Sequence, residues 1–201
     1  MPRAKLRTPE LRDRVVDVAV ATLAEHGTSG FTTRRIAQGA GTSVAAVYEL
    51  FGDKGGLVRE VFFEGFRRLG AAFDRLEPTG DPRADLVAVT EVFRSFVHAN
   101  ALLVEVMFSR PFADFDPGPD ELRAGAKVQK FVVDQARQGV EAGVLAGDPL
   151  DIAHVVVALA QGLATQEAAG WLGSTPAAVE RRWRVAFGAL IDGLRPPAGP
   201  A

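Results

Sequence analysis

Apolar residues recur at intervals of three and four along nearly the whole chain, and no segment alternates apolar with polar between hairpin turns. That period puts the apolar side chains on one face of a helix, so burying them requires helix packed on helix. Leu11, Val15, Val18, Ala19 and Leu23 share one such face, and His26-Gly27 ends the helix. Asp81-Pro82 supplies a cap and a first-turn proline for Leu86, Val89, Phe93, Phe96 and Val97. Leu122, Gln129, Val132, Ala136 and Val140 form another stripe, with Val128 and Phe131 on a neighbouring face. Gly147-Asp148-Pro149 opens a helix carrying Ile152, Val155, Val156, Leu159 and Leu163. Thr175-Pro176 opens the last, with Val179, Trp183, Ala186, Leu190 and Leu194. The expected fold is all-α, with about nine helices. The closing RPPAGPA cannot continue a helix, and residues 196–201 are expected to be a mobile tail.

Residues 109–120, SRPFADFDPGPD, are the longest stretch without a helical pattern. Their prolines exclude a helix, and Phe112 and Phe115 give two apolar anchors. Either these rings pin a loop to the core, or the segment walls a ligand cavity.

Several chemistries are excluded at this level. The chain has 201 residues and no cysteine, so it has no disulfide, thiolate nucleophile or thiolate metal site. His26, His98 and His154 are scattered and make no H-E-x-x-H pattern. Gly52-Asp53-Lys54-Gly55-Gly56 lacks the spacing of a phosphate-binding loop. Asp114, Asp116, Asp120 and Glu121 are interrupted by prolines and do not follow the calcium-loop pattern. Neither an enzyme, a cofactor nor a metal site is expected. No apolar run approaches the roughly 20 residues that span a bilayer. The basic start has no apolar segment behind it to make a signal peptide, so the expected location is cytoplasmic. Residues 1–60 hold nine Lys/Arg against seven Asp/Glu, whereas the remainder is acidic, and this slight asymmetry hints at an anionic partner for the head.

The most informative segment is residues 31–57, FTTRRIAQGAGTSVAAVYELFGDKGGL. Thr32-Thr33 precede one short helix that ends at Gly39-Ala40-Gly41, and Thr42-Ser43 precede a second that runs over 44–51. Two short helices joined by a tight glycine turn are a helix-turn-helix signature, in which the second helix enters the DNA major groove. Ile36, Ala37, Val47 and Phe51 provide the apolar contacts between them.

Over residues 11–57 the chain resembles the TetR family of bacterial transcriptional regulators. The resemblance rests on the amphipathic first helix closed by glycine and on Phe31 before the threonines. It extends through I-A-x-x-A-G at residues 36–41, Tyr48-x-x-Phe51, Lys54 and Leu57. It implies a three-helix DNA-binding head over 1–56, joined by a long helix to an all-helical ligand-sensing and dimerisation domain over 57–195. That connecting helix is expected over about 54–76, burying Leu57, Val61, Phe62, Phe66 and Leu69.

The resemblance also implies roles. Thr33 stands where the family holds a phosphate at a helix start, and Arg34 where it reaches a guanine edge. Thr42, Ser43, Val44, Ala45 and Ala46 form the base-facing start of the recognition helix, and Tyr48 and Lys54 stand at backbone-contacting positions. Arg3, Lys5 and Arg7 make a candidate arm, and Arg35 reads as solvated helix surface. Two departures stand out. Leu50 occupies a position where the family often carries a hydrogen-bond donor, and Val44, Ala45 and Ala46 are short and apolar where long polar residues are common. Such side chains meet thymine methyls but do not read guanine, so direct readout falls mainly to Arg34 and Ser43, with DNA shape supplying the rest.

For the remainder, the resemblance implies a homodimer, a roughly palindromic operator and repression relieved by a small molecule. The small residues over 153–169, with Trp183, Phe187 and Leu190, suit either a dimer interface or an intramolecular core. Candidate cavity residues are Phe93, Phe96, Met107, Phe108, Phe112, Gln129, Phe131, Gln161 and Trp171, mostly apolar, which favours a largely apolar effector.

Overall fold

Helices start in this chain where a short polar side chain can accept from the otherwise unpaired N–H groups of a first turn. In the computed structural model, Thr8 accepts from Leu11, Thr32 from Arg35, Ser43 from Ala46, Asp148 from Leu150 and Asp151, and Thr175 from Ala178. The structure describes residues 8–109, 112–113, 115–116 and 118–197. Arg3, Lys5, Arg7, Asp114, the last four residues of the expected tail and the side chain of Leu122 lie outside the described residues.

The described residues form helices and no strand. The order is α1 (Pro9–Gly30), α2 (Thr33–Gly39), α3 (Val44–Phe51), α4 (Lys54–Phe73), α5 (Pro82–Ala99), α6 (Ala101–Phe108), α7 (Pro119–Ala124), α8 (Ala126–Glu141), α9 (Pro149–Ala168) and α10 (Pro176–Gly193). Within α1 the helical geometry breaks at Gly27, at φ 66° and ψ −173°, where the sequence placed its end. The short α7 begins at the proline after Gly118, inside the stretch expected to be irregular. No single helix among the described residues is long and apolar enough to cross a membrane.

The chain divides into two compact units. The first takes the described residues up to Arg68 together with Ala99–Gly125, and so contains α1, α2, α3, most of α4, α6 and α7. In it α1 packs on α2 and α6, and α2 on α3, around the buried side chains of Val15, Leu23, Phe31, Ile36, Val47, Leu57, Val61 and Val106. Phe112 and Phe115 are buried here, against Phe31 at 5.1 Å and Phe62 at 5.6 Å between ring centroids, so they do pin the 112–116 segment to a core. Behind them Arg59 pairs with the buried Glu121 of α7, whose other oxygen accepts from the Gly118 N–H at 2.8 Å.

The second unit takes Leu69–His98 and the described part of Ala126–Ala201. Here α9 packs on α8 and α10, burying Val132, Ala136, Ile152, Val156, Trp183, Phe187 and Ile191. Trp183 and Phe187, which suited either a dimer surface or an intramolecular core, stack on each other at 5.8 Å and are buried inside this unit.

Candidate nucleic-acid interface

Three backbone bonds define the turn between α2 and α3. Ala40 N–H donates to Ile36 at 2.9 Å, Gly41 to Gln38 at 3.1 Å, and Thr42 to Ala37 at 2.9 Å. Gly41 sits at φ +65°, a left-handed conformation that a Cβ disfavours, so the turn requires its glycine. Ile36, Ala37, Ala40, Val47 and Phe51 go inward. Arg34, Ser43, Ala45 and Tyr48 are exposed, with Thr42, Val44 and Ala46 half-buried. Thus α3 is held from one side and presents the other to solvent, as a recognition helix must.

The exit from α3 is equally constrained. Gly52, at φ 82°, donates to the Tyr48 carbonyl at 2.8 Å, and Asp53 caps α4 by accepting from Gly56 at 2.7 Å. A side chain at Gly56 would run into the Phe51 carbonyl, so α3 and α4 meet backbone to backbone. This puts Lys54 on the first turn of α4, its ammonium 5.4 Å from the centroid of the Phe112 ring. Phe112, one of the nine cavity candidates, thus packs against Phe31 and lies beside Lys54 in the first unit.

The arginines of the head separate sharply. Arg34 is exposed, and its side chain makes no hydrogen bond or ion pair among the described residues. Arg35 donates to the Gly30 carbonyl at 3.0 Å, tying α2 back to the end of α1 rather than lying free on the surface. Arg12 of α1 donates to the Leu50 carbonyl at 3.0 Å, pairs with Glu60 at 2.6 Å and lies 4.8 Å from the Phe51 ring centroid. Nothing in the sequence pattern singled out Arg12; its only signal is a guanidinium beside the apolar face of Leu11, Val15 and Val16. Ser43 accepts from Ala46 at 3.1 Å, which leaves its hydroxyl proton as the donor for any outside partner. Thr33, the first residue of α2, is buried, and its N–H lacks an intrahelical acceptor.

The cavity candidates fall in both units. Met107, Phe108 and Phe112 belong to the first, and Phe93, Phe96, Gln129, Phe131, Gln161 and Trp171 to the second. Phe93, Phe96 and Met107 are buried, Phe131 stacks on Phe73 at 5.2 Å, and Gln129 meets His154 at 3.3 Å on an exposed surface. Trp171 is 78% exposed.

The second unit contains a groove of about 690 Å³ lined by none of these nine; Glu91, Arg94, Ser95, His98, Glu167 and Glu180 are among its walls. At its centre Arg94 forks onto both oxygens of Glu167 at 2.9 Å and reaches Glu180 at 2.6 Å. Trp183 Nε1 donates to Glu167 at 2.7 Å, and His98 Nε2 lies 2.9 Å from its other oxygen. Burial works to raise the pKa of Glu167, but the hydrogen bonds from Arg94 and Trp183 and the charges of Arg94 and His98 outweigh it, so the value lies below normal. Arg94 is shifted up, first by its hydrogen bonds to Glu167.

Comparison with known proteins agrees with this geometry. The model of bacterial regulatory proteins of the tetR family matches residues 15–61, and that of the tetracyclin repressor-like C-terminal domain matches residues 86–190. No curated protein matches the chain. A protein of unknown function from Rhodococcus sp. RHA1 is 30% identical, with 95% of this chain and 98% of that one aligned at a TM-score of 0.81. The TetR family transcriptional regulator PfmR from Thermus thermophilus shares the fold at 22% identity, over 92% of this chain and all of that one, at a TM-score of 0.66. A TetR family transcriptional regulator from Chloroflexus aurantiacus does so at 21%, over 96% and 97%, at 0.64. With both halves of the chain matched and the helix-turn-helix formed by the residues that suggested it, the chain belongs to the TetR family of DNA-binding transcriptional regulators, which are not enzymes.

Proposed function

We propose that this regulator is a repressor that binds a palindromic operator as a homodimer and is released by a small, largely apolar molecule. The observation that carries the DNA part is the unspent outer surface of α2 and α3, where Arg34 and Tyr48 are exposed and their side chains hydrogen-bond nothing among the described residues. In this reading residues 1–56 are the DNA head, 57–195 sense ligand and dimerise, and 196–201 are a tail. Arg34 takes the O6 and N7 of a guanine, and Thr42, Ser43, Val44, Ala45 and Ala46 face the bases. The Thr33 N–H, Tyr48 and Lys54 hold phosphates.

The dimer runs through α9 and α10. Gly162 and Gly188 lie within these helices, and a Cβ at either would meet nothing within 4 Å. A glycine there costs about 1 kcal/mol against alanine, with no compensating close contact inside the chain. A second backbone approaching that face supplies the reason, and the exposed Val155 and Val185 supply apolar area. For the effector, the buried Phe93 and Phe96 of the second unit support an apolar molecule, which acts by favouring a dimer whose recognition helices no longer match the half-sites.

The direct test is selection of fragments of the source genome by the purified protein at moderate salt, followed by sequencing. Enrichment of a palindromic site is expected, and sedimentation should show a dimer that Gly162→Arg disperses. Retention of fragments without a shared site would overturn the reading.

A further inference from the structure

We infer that Arg12 is a positioning residue that sets the pose of the recognition helix, an assignment that rests on the DNA-binding reading above. The helix α3 has only eight residues, and among them only Val47 and Phe51 are buried. Its N-terminal end is held closely by the Ala37–Thr42 turn bond and the Ser43 cap. Its C-terminal end has carbonyls with no intrahelical donor and carries the negative end of the helix dipole. Arg12 meets both needs there.

One guanidinium nitrogen donates to Leu50 O at 3.0 Å, another pairs with Glu60 on α4 at 2.6 Å, and the plane lies over the Phe51 ring. A single planar group thus joins α1, the end of α3 and the start of α4. A rigid fork serves three directions at once, which a lysine ammonium on a flexible stem does not. Glu60, 18% exposed, supports Arg12, because it fixes the guanidinium in the plane that reaches Leu50.

This makes a prediction whose sign separates positioning from simple charge. An arginine that only attracted phosphate would bind DNA better once its carboxylate partner was removed. A positioning arginine binds its site worse, although the protein has lost a negative charge. The variants are Arg12→Ala, Arg12→Lys, Glu60→Ala and the double Arg12→Ala/Glu60→Ala. Each is titrated against a duplex carrying the site enriched from the genome and against a scrambled duplex of equal length, at several salt concentrations.

The expected result is a loss of about tenfold on the selected site for Arg12→Ala, and a smaller loss for Arg12→Lys and Glu60→Ala. The scrambled duplex and the salt slope should change little, and the double variant should bind no worse than Arg12→Ala alone. Equal weakening on both duplexes with a shallower slope, or tighter binding by Glu60→Ala, would overturn the assignment in favour of a phosphate contact. Full selectivity in the variants at a temperature where circular dichroism shows them folded would overturn it in favour of stability alone. A parent protein that prefers no site would overturn the DNA-binding reading itself, and this inference with it.

Discussion

Arg34 and Arg94 carry the same side chain and live opposite lives. Arg94 sits in the second unit with its donors spent on Glu167 and Glu180 and its plane 5.2 Å from the Trp183 ring centroid. Arg34 sits on α2 with none spent among the described residues. A charge satisfied inside the chain holds helices together, here α5, α9 and α10. A charge left free and solvated contributes little to folding, and in the proposed reading it is kept for DNA. The same contrast runs through the first unit, where Arg12 and Arg35 are tied to backbone carbonyls and Tyr48 is not.

The comparison breaks most visibly at its inner member. Arg94→Ala leaves Glu167, 13% exposed, without its fork, and is expected to cost about 3 kcal/mol in denaturant unfolding. If stability does not change, the hub is not structural. Arg34→Ala should leave the unfolding midpoint where it is and instead lose about 1–3 kcal/mol of discrimination at one guanine position, read by titrating operator variants. Equal affinity for every variant would remove Arg34 from readout.

A smaller and more uniform effect is expected from Tyr48→Phe with Lys54→Ala. All sequences should weaken together and the salt slope should fall by about 1, as when one phosphate contact is lost. The last effect concerns pH. The folded pKa of Glu167 is lowered, so its contribution to stability is present above the ordinary value of 4.5 and is lost as the pH falls through the lower folded value. The destabilisation caused by Glu167→Gln should therefore be largest near neutrality and shrink in acid. A cost independent of pH would mean that the carboxylate charge contributes nothing.

Much of this was legible in the residues. Thr8, Thr32, Ser43, Asp148 and Thr175 begin helices because a short polar side chain before an apolar stripe can satisfy first-turn N–H groups wherever the helix later packs. Gly41 and Gly52 mark turns because their backbone angles exclude most side chains. The apolar faces of Leu11, Ile36 and Val47 are buried as their period requires.

The neighbour that each side chain meets was less legible. Trp183 and Phe187 suited either an interface or a core and pack inside the second unit, while Phe112 suited either a pinned loop or a cavity wall and packs against Phe31 beside Lys54. A helical period tells which face turns inward but not which neighbour it meets.

The sequence by itself determined that the chain would be helical, where its helices begin, and that it carries a helix-turn-helix, since all of these depend on neighbours within a turn or two. Only the tertiary structure decided that the side chains of Arg12, Arg35 and Arg94 find partners while that of Arg34 finds none among the described residues. Arg12 finds its carbonyl 38 residues away and Arg94 its carboxylate 73 away, and such pairings exist only once the helices are packed.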